Sequence, residues 1–121
     1  MNRNSSARLA FFPAPGRFPV LAVPCLVGAP GDRLATQASF FGSMLPAVWS
    51  FCLAARARGL GTTLTTLHLR REAAVAELLG IPDDVTQAAL LPVAYTLGDE
   101  FRPSQRPAAE TITFFDRWGD A

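Results

Sequence analysis

Along the chain, short apolar runs alternate with two stretches of helical period. Val20 to Gly28, VLAVPCLVG, is apolar and ends on a glycine, which predicts a short strand buried on both faces. Pro24 has no N–H to give a ladder, so that strand must lie at an edge or carry a bulge. APGDR then turns the chain. From Ser43 to Arg58 the spacing of Leu45, Val48, Trp49, Cys52 and Leu53 predicts a helix, with Ser43 as N-cap, Pro46 in the first turn and Gly59 or Gly61 as left-handed C-cap. Its opposite face carries Phe51, Ala54 and Ala55, so it is apolar nearly all round and calls for burial on two sides. A subunit interface supplies the second side most simply.

A second helix is predicted over Arg71 to Leu79, with Val75, Leu78 and Leu79 inward and Glu72 and Glu77 outward. Gly80, Ile81 and Pro82 read as a Schellman end. Ala88 to Tyr95 is a further apolar run, a buried strand with a local bulge at Pro92. Between the helices, GLGTTLTTLHL holds two glycines and four threonines with almost no charge, and reads as a strand from about Leu60. The tail from Asp99 to Trp118 reads as extended, with a last strand at the alternating Thr111, Ile112, Thr113 and Phe114. The order of strand, helix, strand, helix, strand and tail predicts an α/β or α+β fold.

Composition narrows the function. The chain has 121 residues, enough for one core, and a formal net charge of +1. All eleven of its basic residues other than the single histidine are arginines, scattered without a basic run, so nucleic acid is not an expected partner. Cys25 and Cys52 sit in apolar runs without a metal-binding or redox spacing and are expected to be buried free thiols; no metal site is expected. The first eighteen residues read as irregular, and the apolar stretch before Pro13 is too short for a secretory signal. No run of the required length for a membrane span is read from the sequence, so a soluble cytoplasmic protein without a membrane partner is expected. His68 is the single histidine, and as a lone residue beside an apolar run it is assigned no role.

Three stretches carry a family resemblance: SFFGSMLPAVWSFCLAARARGLGTTLTTLHL, VAELLGIPDDVTQAALLPVAYTLGDEFRPSQRP and FFDRW. In this order and spacing they resemble the C-terminal part of the FMN-dependent nitroreductase family, from about Pro19 to Trp118. The resemblance implies a three-layer α/β sandwich, truncated here to a partial domain over residues 19–121. It implies a homodimer with FMN at the subunit interface and hydride transfer from NAD(P)H to a nitroaromatic, quinone or similar acceptor. By position, the backbone of Leu64, Thr65, Thr66 and Leu67 would run beside the flavin, with an N–H near Thr66 directed at its N5, and the paired glycines would let the chain approach a flat ring. Arg106, in PSQRP, falls where the family often pairs a basic side chain with the FMN phosphate; Ser104 occupies a neighbouring position that is basic in some relatives, and Arg102 is a substitute. No side chain is implied as a catalytic acid or base.

The Arg-rich N-terminal portion of such proteins has no counterpart in Met1–Phe18. Each lost charge-assisted hydrogen bond removes on the order of 1.5–3 kcal/mol. Two functions are therefore expected as alternatives: a nitroreductase-like flavoenzyme, or a non-catalytic remnant that still associates with itself or with a relative.

Overall fold

The computed structural model describes residues 20–98 and 100–119. The irregular segment expected over residues 1–18 lies outside them. The apolar run expected to be one strand is two: β1 (Val20–Ala22) and β2 (Cys25–Val27), broken at Val23 and Pro24. They join different sheets. β1 pairs antiparallel with β5 (Leu91–Tyr95), and β2 pairs antiparallel with β4 (Val85–Gln87). The second apolar run becomes a strand only from Leu91: Ala88 to Leu90 links β4 to β5, so the chain crosses between sheets twice. An Ala88 N–H to Pro24 C=O bond of 3.0 Å ties the two crossings together. Proline explains the first break, because Pro24 supplies an acceptor and no donor. Burial on both faces does not hold for the first run: Val20, Leu21 and Val27 are exposed.

The larger sheet has the order β1-β5-β3, with β3 (Leu60–Thr62) at its edge. β5 is its buried centre, and Leu91 at 1% exposure is the most enclosed large side chain of the core. Against it packs α1 (Leu34–Arg56), 23 residues long. This helix starts nine residues before the expected Ser43 cap. Ser43 is internal and its hydroxyl donates to the Phe40 carbonyl at 2.7 Å. The turn at Gly31 (φ +72°) starts the helix instead, with Thr36 Oγ1 donating to Arg33 O at 2.7 Å and Gln37 Nε2 to Gly31 O at 3.0 Å. Pro46 therefore lies inside the helix and deletes the bond to the Gly42 carbonyl, at a cost of about 3 kcal/mol. Burial of Met44 and Val48 on either side offsets this, each side chain contributing roughly 1.5–3 kcal/mol.

The buried stripe of α1 is Phe41, Met44, Val48, Cys52 and Ala55, at i, i+3, i+7, i+11 and i+14. Leu45, Trp49 and Leu53, expected inward, are exposed. The helix is also long and apolar enough to cross a membrane, which the sequence reading had not found. The extra length lies in Leu34 to Gly42, before the expected start at Ser43.

After α1, Gly59 (φ +75°) provides the expected left-handed residue. A 3-10 helix (Leu67–Arg71) then leads into α2 (Glu72–Leu79). The Schellman end is present: Gly80 is left-handed, and the Ile81 N–H reaches the Ala76 carbonyl at 2.9 Å. Leu78 and Leu79 are exposed, however, and Val75 with Ala76 forms the partly buried side of α2. The tail has a 3-10 turn (Ala109–Thr111) where a strand was expected. Thr111 and Thr113 spend their hydroxyls on the carbonyls of Ala108 and Ala109, both at 2.7 Å, which closes a local turn rather than a ladder. Neither thiol is deeply buried: Cys25 is exposed and Cys52 half-buried, and both are free.

Candidate functional site

The strip from Leu60 to Leu67 owes its geometry to one register. Leu60, Gly61 and Thr62 face Tyr95, Ala94 and Val93, and Thr65 faces Leu90 with both bonds made, at 3.0 and 2.8 Å. Continued between these pairs, the register sets Thr63 opposite Pro92. Thr63 falls at a position where the two residues would exchange bonds, and Pro92 cannot donate. The ladder opens there, so regular strand ends at Thr62 and resumes as the single bridge at Thr65.

Because each peptide is planar and trans, the bonds of Thr65 fix its neighbours. Thr65 C=O points at Leu90, so the Thr66 N–H points the opposite way, off the free edge of the sheet. Thr65 N–H also points at Leu90, so the Leu64 C=O turns outward beside it. Among the described residues neither group has a partner. Leu64, Thr66 and Leu67 are exposed and Thr65 is half-buried. Thr66 then closes the strip: its carbonyl accepts the Leu69 N–H at 3.0 Å, and Thr65 Oγ1 accepts the Leu67 N–H at 3.3 Å. The result is an outward donor and acceptor, flanked by two exposed leucines, on a backbone held from behind.

Both glycines of the strip have structural reasons that need no ligand. Gly59 takes up the left-handed turn, and a Cβ at Gly61 would meet the Thr96 methyl at 2.9 Å. At Gly61 the close approach is to Thr96, while a Cβ at Gly59 would meet nothing within 4 Å.

Arg106 is exposed in an extended stretch of the tail, and no hydrogen bond joins it to the strip. The tail is held nearby by another arginine: the Arg56 guanidinium lies 3.9 Å from the centroid of the Phe101 ring. This contact at the end of α1 was not legible from sequence, since 45 positions separate the partners. The strip therefore groups Leu64, Thr65, Thr66 and Leu67, and among the described residues Arg106 makes no hydrogen bond to it.

His68, which is assigned no role from sequence, has both ring nitrogens shielded and without partners among the described residues, although the residue as a whole is only half-buried. Desolvation lowers its pKa below the usual 6.5, partly opposed by the Glu72 carboxylate. An apolar groove of about 300 Å³ between Pro24, Cys25, Met44 and Phe51 lies on the core side of α1. Among the described residues no three metal-ligating side chains converge.

Comparison with known proteins gives these features a lineage. A search of curated proteins finds no match. In fold, the chain is similar to a protein of Parabacteroides distasonis ATCC 8503 named for NADH dehydrogenase/NAD(P)H nitroreductase, at 25% identity and a TM-score of 0.59, over 81% of this chain and 55% of that one. It is similar to a nitroreductase-like family protein of Bacillus cereus at 15% identity and a TM-score of 0.65, over 97% of this chain and 63% of that one. A nitroreductase family protein of Streptococcus pneumoniae TIGR4 matches at 20% identity and a TM-score of 0.54, covering 69% and 40%. The chain thus spans between two fifths and two thirds of the length of these relatives. Residues 5–95 match the Nitroreductase family itself, beginning earlier than the resemblance read from the sequence and stopping before the tail. With three quarters of its length covered by that match and its fold shared with such proteins, the chain belongs to the nitroreductase family.

Proposed function

We propose that this chain forms part of an FMN-dependent oxidoreductase that passes a hydride from NAD(P)H to a nitroaromatic, quinone or similar acceptor. The observation that carries this is the Thr66 N–H, directed off the sheet edge at an exposed residue and without a partner among the described residues, in a family whose members generally bind flavin. Such a donor fits a ring nitrogen acceptor, and the exposed Leu64 and Leu67 fit an apolar ring beside it. When bound, FMN supplies the redox chemistry. The chain's own residues bind and orient: Thr66 through its N–H, Leu64 and Leu67 by apolar contact, and Thr65 by anchoring the strip to Leu90. Arg106 serves as a phosphate partner brought in by the tail, its planar fork suited to two oxygens.

The working unit is proposed to be a soluble homodimer in the cytoplasm. Support comes from the outer face of α1, where Leu45, Trp49, Phe51 and Leu53 are exposed together. A patch of this kind on a soluble protein marks an association surface. Its occupant is taken to be a second copy and not lipid, since the opposite stripe of the same helix is the protein's core.

Titrating FMN fluorescence against the protein tests the site. Arg106→Ala is expected to weaken affinity roughly ten- to a hundredfold, the worth of one charge-assisted bond. Thr66→Ala is expected to bind like the parent because the contact is through the backbone, whereas Thr66→Pro deletes the donor and is expected to bind poorly while circular dichroism shows it folded. Parent-like affinity in Thr66→Pro would remove the strip assignment. A parent that dimerises yet takes up no flavin would favour the non-catalytic remnant.

A further inference from the structure

Among the described residues Gln87 is the one buried polar side chain, at 2% exposure. It stands at the end of β4, and its Nε2 donates to the Glu72 carbonyl at 3.0 Å. An amide is costly to bury and an apolar side chain of similar size is not, so what the amide adds at this position is the bond. That bond joins distant parts of the chain: β4 belongs to the smaller sheet, and Glu72 is the first residue of α2.

Glu72 also ends the segment that begins at Thr65. Between them the 3-10 helix (Leu67–Arg71) runs between two residues that depart from helical geometry, Thr66 (φ −119°, ψ 10°) and Arg71 (φ −134°, ψ 40°). Neither the 3-10 helix nor α2 has a side-chain cap to hold its start. Thr65 is bonded to Leu90, but as an isolated bridge, because regular ladder beside it stops at Thr62. An isolated bridge opens easily unless the chain is held again a few residues on. Gln87 supplies that second hold. Gln87 and Leu90 lie three positions apart on one stretch whose Ala88 and Ala89 are buried, so both holds stand on the same base.

We infer that Gln87 is a positioning residue for the ligand-facing strip: with Leu90 it clasps residues 65–72 at both ends, and so holds the peptide whose N–H, at Thr66, faces outward. The 3-10 helix passes the hold along, since the Leu69 N–H closes onto the Thr66 carbonyl at 3.0 Å. The ligand part of this inference rests on the proposed FMN site; the clasp itself does not.

Hydrogen exchange followed by NMR in the full chain tests the clasp without any flavin. In the parent the Gln87 side-chain amide is expected to exchange slowly, and the exposed Gln105 amide in the tail to exchange freely. Gln87→Met and Gln87→Leu keep the volume and remove the donor. In both, exchange at the Leu69 N–H is expected to be at least several-fold faster while the urea midpoint stays near the parent's. A Gln87 amide as free as that of Gln105, or Leu69 exchange identical in parent and variants, would overturn the clasp. A lowered midpoint with exchange faster everywhere alike would overturn the positioning role and leave Gln87 a core residue only. FMN titration then tests the consequence: Gln87→Met is expected to weaken binding about tenfold. Its loss is expected to multiply with that of Arg106→Ala, but to add nothing to Thr66→Pro, which already lacks the donor that Gln87 positions. Losses that multiply with Thr66→Pro as well would separate Gln87 from the Thr66 N–H and overturn the positioning role. A parent with a protected Gln87 amide but no flavin affinity would end the FMN assignment and leave the clasp standing.

Discussion

Strand β5 and the outer face of α1 are about equally apolar and meet opposite fates. Leu91, Pro92 and Val93 are buried, with Leu91 at 1% exposure. On α1, Trp49 is 65% exposed and Leu53 52%. The difference is one of neighbours. β5 is flanked by β1 and β3 and covered by Met44 and Val48, whereas among the described residues the far side of the helix stays exposed. Apolar composition thus measures what a segment requires, and the fold of one chain meets only part of the requirement here.

Substitution at the centre of each region sharpens the contrast. Leu91→Ala is expected to cost about 2–5 kcal/mol, a large part of the stability of a domain this size, read as a lower urea midpoint. Trp49→Arg is expected to leave folding of the isolated chain nearly unchanged but to convert a dimer to monomer in sedimentation at micromolar concentration. A stable monomeric parent would sink the interface, and so would a parent that partitions into membranes. If Trp49→Arg instead lowered the urea midpoint as far as Leu91→Ala, the two regions would not differ as described.

The pH response lies between these and the smallest effects. Burial lowers the His68 pKa, so the folded state binds fewer protons than the unfolded chain just below pH 6.5. The sign follows: His68 has no effect on stability well above 6.5, and stability falls as pH drops from there toward the lowered folded value. The slope of a urea midpoint against pH over that window is expected to flatten in His68→Gln. An unchanged slope would show that the imbalance comes from other groups.

Gly61→Ala is expected to have the smallest effect, below about 1 kcal/mol. The new Cβ meets the Thr96 methyl at 2.9 Å, and a short side chain can yield. Thr96→Ser removes that methyl and is expected to erase the cost. A loss that persists in the double variant would mean that Gly61 is needed for its backbone alone.

Much of the local structure was legible because its causes are local. The end of α2 was readable from Gly80, Ile81 and Pro82, since a left-handed residue, a returning N–H and a helix-stopping proline act within a few positions. Gly59 was readable for the same reason. The start of α1 was not, because no strong cap marks Arg33, and the conspicuous Ser43 uses its hydroxyl inside the helix. Its buried stripe was misplaced because with apolar residues on every side the period alone cannot say which face meets the sheet; Phe41 was the missing clue.

The sequence by itself determined the lineage, the alternation of strands and helices as far as Tyr95, the left-handed turn at Gly59 and the Schellman end, because family motifs and the conformational limits of proline and glycine travel with the chain. Tertiary structure alone decided that β1 and β2 join different sheets, that Pro92 faces Thr63, and that the bonds from Thr65 to Leu90 turn the Thr66 N–H outward. These are pairings between residues some 20 to 70 positions apart. They depend on which strands lie side by side, and that is settled by global packing and hydrogen-bond register, not by any residue's own preference.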